Sequence, residues 1–174
     1  MEIYTIGHSN MDMKKFITIL KENHIEMVVD VRSIPFCKYA SHFDKENLQK
    51  ELEKERIGYL FMGDALGGRP KRIALDEFYS ADILSDILYK KIMEQEWYQN
   101  GISKLIETAS KNRAAIMCSE ENPNKCHRNL LVSQTLLERG IDIIHIRADG
   151  HTEIAKKHIF QSPLVQFEKS GVLG

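Results

Sequence analysis

Cys118, Cys126, His127 and Arg128 place two thiols, an imidazole and a guanidinium in the short segment Cys118-Ser119-Glu120-Glu121-Asn122-Pro123-Asn124-Lys125-Cys126-His127-Arg128. An apolar run, Ala114-Ala115-Ile116-Met117, precedes it, and an amphipathic stretch from Leu130 to Leu137 follows. The pattern predicts a buried strand, a polar loop and a helix that begins near Cys126. Such junctions are where α/β proteins bind anions and place nucleophiles, because a helix start offers unpaired N–H groups and the positive end of its dipole.

In the first turn of a helix, beside Lys125 and Arg128, Cys126 is expected to be the most acidic thiol of the chain. It would then serve as a thiolate nucleophile or a positioning group. The plainer alternative is a small residue packing the helix start. Cys118 ends the predicted strand and reads as a core residue. A nucleophile of the thiol-phosphatase kind is less consistent with the spacing, which exceeds C-x5-R, and with Glu120 and Glu121, which would repel a phosphate dianion. A Cys118–Cys126 disulfide or metal pair stays open. The C-x7-C-H spacing lacks the tight C-x2-C of structural zinc sites, and His8 would be needed as a fourth ligand. The residues by themselves assign no metal ligand and name no cofactor.

These groups need a scaffold. Short apolar runs predict strands at Glu2–Ile6, Ile25–Val31, Ile57–Met62, Arg113–Cys118 and Ile141–Arg147. Helical spacing predicts helices at Met11–Asn23, Asp44–Arg56, Asp76–Gln95, Trp97–Ser110, Cys126–Arg139 and Thr152–Phe160. Arg32–Phe43 and Gly63–Lys71 read as loops, and the tail from Ser162 carries no pattern. Strands alternating with helices imply an α/β fold: one three-layer domain over residues 1–174, with a mostly parallel sheet of about five strands and helices on both faces.

In such a sheet the ligand crevice lies beyond the strand C-termini. There the sequence puts Gly7-His8-Ser9-Asn10, Asp30 with Arg32 and Ser33, Gly67-Gly68-Arg69, the Cys118–Arg128 loop and Asp149-Gly150-His151. Asp30 could fix the tautomer of His8 as a base or could simply pair with Arg32. Arg32 and Arg128 are expected to grip an anion, with Arg69, Lys71, Arg72, Lys38 and Lys125 adding positive potential. Phe36, Tyr39 and Phe43 could stack a base.

Composition narrows the classes. The formal net charge of -1 over 174 residues excludes a bulk polyanion binder, so any anion recognition must be local. An odd set of 3 cysteines suits a reducing cytoplasm rather than a disulfide scaffold. The first residues show no signal peptide, and no apolar run nears the ~20 residues of a membrane span.

Tyr4–Asn10, Val29-Asp30-Val31-Arg32-Ser33-Ile34-Pro35, Leu66-Gly67-Gly68-Arg69, Cys118-Ser119-Glu120 and Cys126-His127-Arg128, in this order, resemble the family known as domain of unknown function 488. The resemblance runs from the N-terminus to about Gly150-His151. It implies a small α/β protein of bacteria or archaea. It places the family's functional positions at Gly7, His8, Ser9, Asp30, Arg32, Glu120, Cys126, His127 and Arg128. Cys37 stands where the family usually has Ser, so no thiol role is expected of it.

The expectation is an enzyme, a hydrolase or transferase, acting on a small anionic ligand of the nucleotide or nucleic-acid-derived class. His8, Asp30, Glu120 and Cys126 are the candidate catalytic groups. Ser9, Arg32, Arg69, His127 and Arg128 are the candidate anion contacts. A non-catalytic module binding nucleotide or nucleic acid, and a cysteine-based redox or metal protein, are the alternatives.

Overall fold

The structure, a computed structural model, describes residues 1–70 and 81–160. The expected helix start at Asp76, the cations Lys71 and Arg72, and the tail from Ser162 lie outside the described residues. The elements in chain order are β1 (Glu2–Gly7), α1 (Met13–Glu22), β2 (Met27–Asp30), α2 (Lys45–Lys54), β3 (Gly58–Phe61), α3 (Gly63–Leu66), α4 (Ala81–Met93), α5 (Glu96–Lys111), β4 (Ala114–Cys118), α6 (Gln134–Glu138), β5 (Asp142–Ile146) and β6 (Thr152–Ile154). A 3-10 turn, Ser41–Phe43, leads toward α2. A second, Pro123–Lys125, precedes a π-helical turn, Arg128–Ser133, that runs into α6.

The strands form one sheet in the order β3-β2-β4-β1-β5-β6, parallel except for β6. The run Ala114-Ala115-Ile116-Met117-Cys118 has no polar interruption because both sheet faces are covered. One face packs Ile3, Val29, Ile116 and Cys118 against α4, α5, the π-helical turn and α6 through Ile92, Tyr98, Leu105, Leu131 and Leu136. The other packs Tyr4, Ile6, Val28 and Met117 against α1 and α2 through Phe16, Leu20, Leu48 and Leu52. Each such aliphatic side chain contributes about 1.5–3 kcal/mol when buried. The α1 helix starts at Met13, two residues after the expected Met11, because Asp12 caps it by accepting from the backbone N–H of Lys14 at 2.8 Å and of Lys15 at 3.2 Å.

Two expectations need correction. The sheet has six strands, not five: Thr152–Ile154 is an antiparallel edge strand on β5 where a helix to Phe160 was expected. A tight turn at Asp149-Gly150 causes this. Arg147 N–H donates to the His151 carbonyl at 2.9 Å, and Gly150 takes φ +91, which an L side chain resists. The helix expected from Cys126 is also broken. Cys126 has extended backbone, φ -128 and ψ 137, between the 3-10 turn and the π turn. The whole arrangement carries the loops after β1, β2 and β4, three neighbours in the sheet, to one edge.

Candidate functional site

Backbone pairing between β1 and β4 continues past their ends. His8 N–H donates to the Cys118 carbonyl and Ser9 N–H to the Ser119 carbonyl, each at 2.9 Å. The two loops pack so closely that a Cβ on Gly7 would lie 1.9 Å from the Glu120 carbonyl oxygen. His8 is fully buried and stacks on Phe43, with ring centroids 4.2 Å apart. Its Nδ1 lies 2.7 Å from the Ser9 carbonyl oxygen, which can only accept, so Nδ1 carries the proton. Nε2 then accepts from Arg32 Nη1 at 3.2 Å. Burial pulls the His8 pKa down to about 4; the Ser9 bond opposes this and the Arg32 charge adds to it.

Arg32 and Asp30 form a buried bidentate pair. Nε donates to Oδ1 at 2.9 Å and Nη2 to Oδ2 at 2.7 Å, with side chains 4% and 0% exposed. The Tyr59 hydroxyl donates to Asp30 Oδ2 at 2.7 Å. The hydrogen bond and charge of Asp30 outweigh burial and raise the Arg32 pKa further above its ordinary value. Expected as acid/base and anion groups, Asp30, His8 and Arg32 instead satisfy one another, although Arg32 also contributes to the cleft wall described below.

Arg128 is likewise inside, with no exposed surface. Nη1 donates to the Glu120 carbonyl, Nη2 to the Glu121 carbonyl at 2.6 Å, and Nε to Thr5 Oγ1 at 3.3 Å. The guanidinium holds the loop after β4 against β1 and is not presented to the cleft, contrary to its expected place in the pocket wall. Arg147 ties the same loop to β5, donating to both Glu121 carboxylate oxygens at 2.9 Å.

Cys118, Cys126 and His127 form a second cluster. Their ligand atoms all lie within 4.8 Å of one another. His127 Nε2 is 2.9 Å from the Val31 carbonyl oxygen, so it carries the proton. The Nδ1 lone pair therefore faces Cys118 Sγ at 3.8 Å and Cys126 Sγ at 4.0 Å. Gly68 packs on this imidazole; a Cβ there would meet His127 Cβ and Cγ at 2.6 Å. Close packing, rather than loop mobility, explains the Gly67-Gly68 pair.

The two sulfurs lie within 4.8 Å of one another and titrate as a pair, one thiol pulled down by its neighbour and the other pushed up by burial and that neighbour. Cys126 is not inside a helical turn, so the helix-start argument for its acidity does not apply.

The cluster forms the floor of a cleft of ≈ 360 Å³. Ser33, Ile34, Gly68, Arg69, Tyr89, Ser119, Glu120 and Lys125 complete its walls. Arg69, Glu120 and Lys125 are exposed. Arg69 N–H is anchored on Ser33 Oγ at 3.1 Å, and Glu120 Oε1 accepts from Asn122 N–H at 3.1 Å. The loop after β4 turns Glu120 to solvent. Ser9 is exposed on the same edge, with φ 47, outside the cleft wall. Tyr89 was not anticipated. Burial first, then the charges of Cys126 and Cys118, raise its pKa to about 12. Its only sequence signal was a place on a helix whose contacts cannot be read from periodicity. A larger open groove of ≈ 670 Å³ near His42 and Lys54 is lined by α2 surface side chains and holds no thiol.

Among the described residues, no helix is long and apolar enough to cross a membrane. A family model described as Domain of unknown function DUF488 matches residues 12–135. That span contains Cys118, Cys126, His127, Arg32 and Asp30, but leaves the Tyr4–Asn10 and Gly150-His151 motifs outside. No curated protein and no solved structure matches the chain.

Proposed function

We propose, for a chain that belongs to the Domain of unknown function DUF488 family, an enzyme of the hydrolase or transferase kind that works on a small anion, nucleotide or nucleic-acid-derived. One observation carries this reading: the buried Cys118–Cys126–His127 cluster opens into a cleft whose rim holds the exposed cations Arg69 and Lys125 beside the exposed carboxylate of Glu120. In this reading Arg69 and Lys125 hold the anion. Glu120 moves the proton at the cleft mouth, and the cluster supplies the reacting centre. Arg32 adds positive potential from the wall, Arg128 positions the loop, and His8 and Asp30 support Arg32. Ser9 sits at the edge as a further contact for a longer substrate.

Binding and turnover of a panel of nucleotides and their esters test it. Arg69→Ala should weaken binding tenfold to a hundredfold, the equivalent of ~1.5–3 kcal/mol for one charge-assisted contact. Lys14→Ala, on an exposed helix face, should change nothing. Cys126→Ser should stop turnover while leaving binding in place. If the panel binds without turnover, and Cys126→Ser behaves as wild type, a binding module replaces the enzyme. If no anion binds, the reading fails.

The proximity of the two sulfurs, within 4.8 Å of one another, favours a second reading, a dithiol redox pair. Treatment with glutathione disulfide should then remove both thiols together, with Cys37 untouched. Loss of only one would exclude it.

A further inference from the structure

We propose that Cys118 Sγ, Cys126 Sγ and His127 Nδ1 form a three-ligand site for a thiophilic divalent cation, zinc, with a fourth coordination position open to the cleft. The inference shares its residues with the proposed enzyme but does not rest on the anionic substrate.

The donor set is the first argument. Two thiolates and an imidazole select zinc over hard cations. With two thiolates and a neutral imidazole, a divalent ion gives a formally neutral centre, which suits a buried position. The geometry is the second. Bonds of ~2.3 Å to sulfur and ~2.0–2.1 Å to nitrogen imply nitrogen–sulfur edges of about 3.5 Å and a sulfur–sulfur edge of about 3.8 Å in a tetrahedron. The nitrogen–sulfur separations are 3.8 and 4.0 Å, and all three donor atoms lie within 4.8 Å of one another, so a side-chain adjustment of under about 1 Å closes the set on an ion of that size.

The surroundings are the third. His127 donates its other ring N–H to the Val31 carbonyl, the arrangement that fixes a metal-binding histidine's tautomer and aim. Cys126 Sγ also meets a backbone donor: Arg128 N–H donates to it at 3.5 Å. Such a donor stabilises thiolate charge. Finally, among the described residues no fourth protein ligand converges. His8, the sequence's suggestion, has both ring nitrogens engaged by Ser9 and Arg32. The cleft is lined by all three donors, so the remaining position faces it. Three protein ligands with one open position is the pattern of a catalytic rather than a structural zinc. On binding, any thiol proton leaves to solvent, so that both sulfurs coordinate as thiolates.

The test uses the full chain, reduced and stripped of metal. Zinc should bind at one ion per chain in competition with a chromophoric chelator. Cobalt(II) should give intense thiolate charge-transfer absorption and a tetrahedral d–d spectrum. Cys118→Ser and Cys126→Ser should each lower zinc affinity by more than the 10–100-fold that loss of an outer-shell partner costs. His127→Asn should shift the d–d bands, and Cys37→Ser should change nothing. Far-ultraviolet circular dichroism shows whether each variant is folded, and the wild-type cobalt spectrum does not depend on any variant.

Failure of the wild type to take up either ion overturns the proposal. So does metal retained at full affinity by the folded Cys118→Ser/Cys126→Ser double variant. Zinc uptake without anion turnover would remove the enzyme reading alone. Turnover by a chain that takes up neither ion would remove the metal site alone.

Discussion

Two polar clusters share the C-terminal edge of the sheet and differ in what they have left to offer. In the first, Asp30, Arg32, His8 and Tyr59 are linked in one network, with Asp30 and His8 wholly buried. A charge removed from water must be paired, and once it is paired it has little capacity for a ligand. In the second, Cys118, Cys126 and His127 turn their lone pairs toward one another and toward a cleft. The first cluster therefore holds the strand ends in place, and the second is where the proposed ligand would find unsatisfied chemistry. Polar residues at a strand edge are not a site merely because they are together.

The comparison breaks first at Asp30. Asp30→Ala strands the buried Arg32 guanidinium, and it should destabilise the chain by ~3–5 kcal/mol in urea unfolding. If the loss is under 1 kcal/mol, the network is not a structural support.

Acid is the next lever. His8 and His145 are both held by burial at about 4, below the ordinary 6.5. A histidine with a depressed folded pKa is protonated first in the unfolded chain, so its stabilisation is complete above pH 6.5 and is lost as pH falls toward 4. Each histidine should contribute at most about 3 kcal/mol to that loss. His145→Gln should flatten the pH dependence of the urea midpoint by its share. A midpoint constant from pH 7 to 4.5 would contradict the buried neutral state of both rings.

Arg128 separates support from recognition. Arg128→Ala removes charge-assisted bonds to two carbonyls and Thr5, and should cost about 1.5–3 kcal/mol. Had Arg128 been an anion clamp, stability would hardly change and ligand affinity would fall. Calorimetric melting with and without nucleotide decides between the two.

The smallest effect is expected at the partly exposed Glu121–Arg147 pair, whose side chains are 29% and 22% exposed. Glu121→Gln should shift stability by ~1 kcal/mol or less, and the shift should shrink in high salt. A larger, salt-insensitive loss would mean that this pair belongs with the closed network.

The amino-acid sequence by itself determined the layers and the edge. Strands buried on both faces must read as apolar runs, so β1, β2, β4 and β5 were legible from Ile3, Val29, Ile116 and Ile143. Period placed α1 to within two residues of its observed Met13–Glu22. Where local signals competed, it failed: the spacing after Thr152 suggested a helix, while the Asp149-Gly150 turn led into a strand. The resemblance in its motifs also brought the right loops together. Only the tertiary structure decided which of their residues are support and which are open. That division depends on partners distant in sequence: Tyr59 on Asp30, Phe43 on His8, the Val31 carbonyl on His127, and the loop carbonyls on Arg128. A side chain's chemistry is set by its type, but its availability is set by whichever group has already taken its hydrogen bonds, and periodicity carries no information about that.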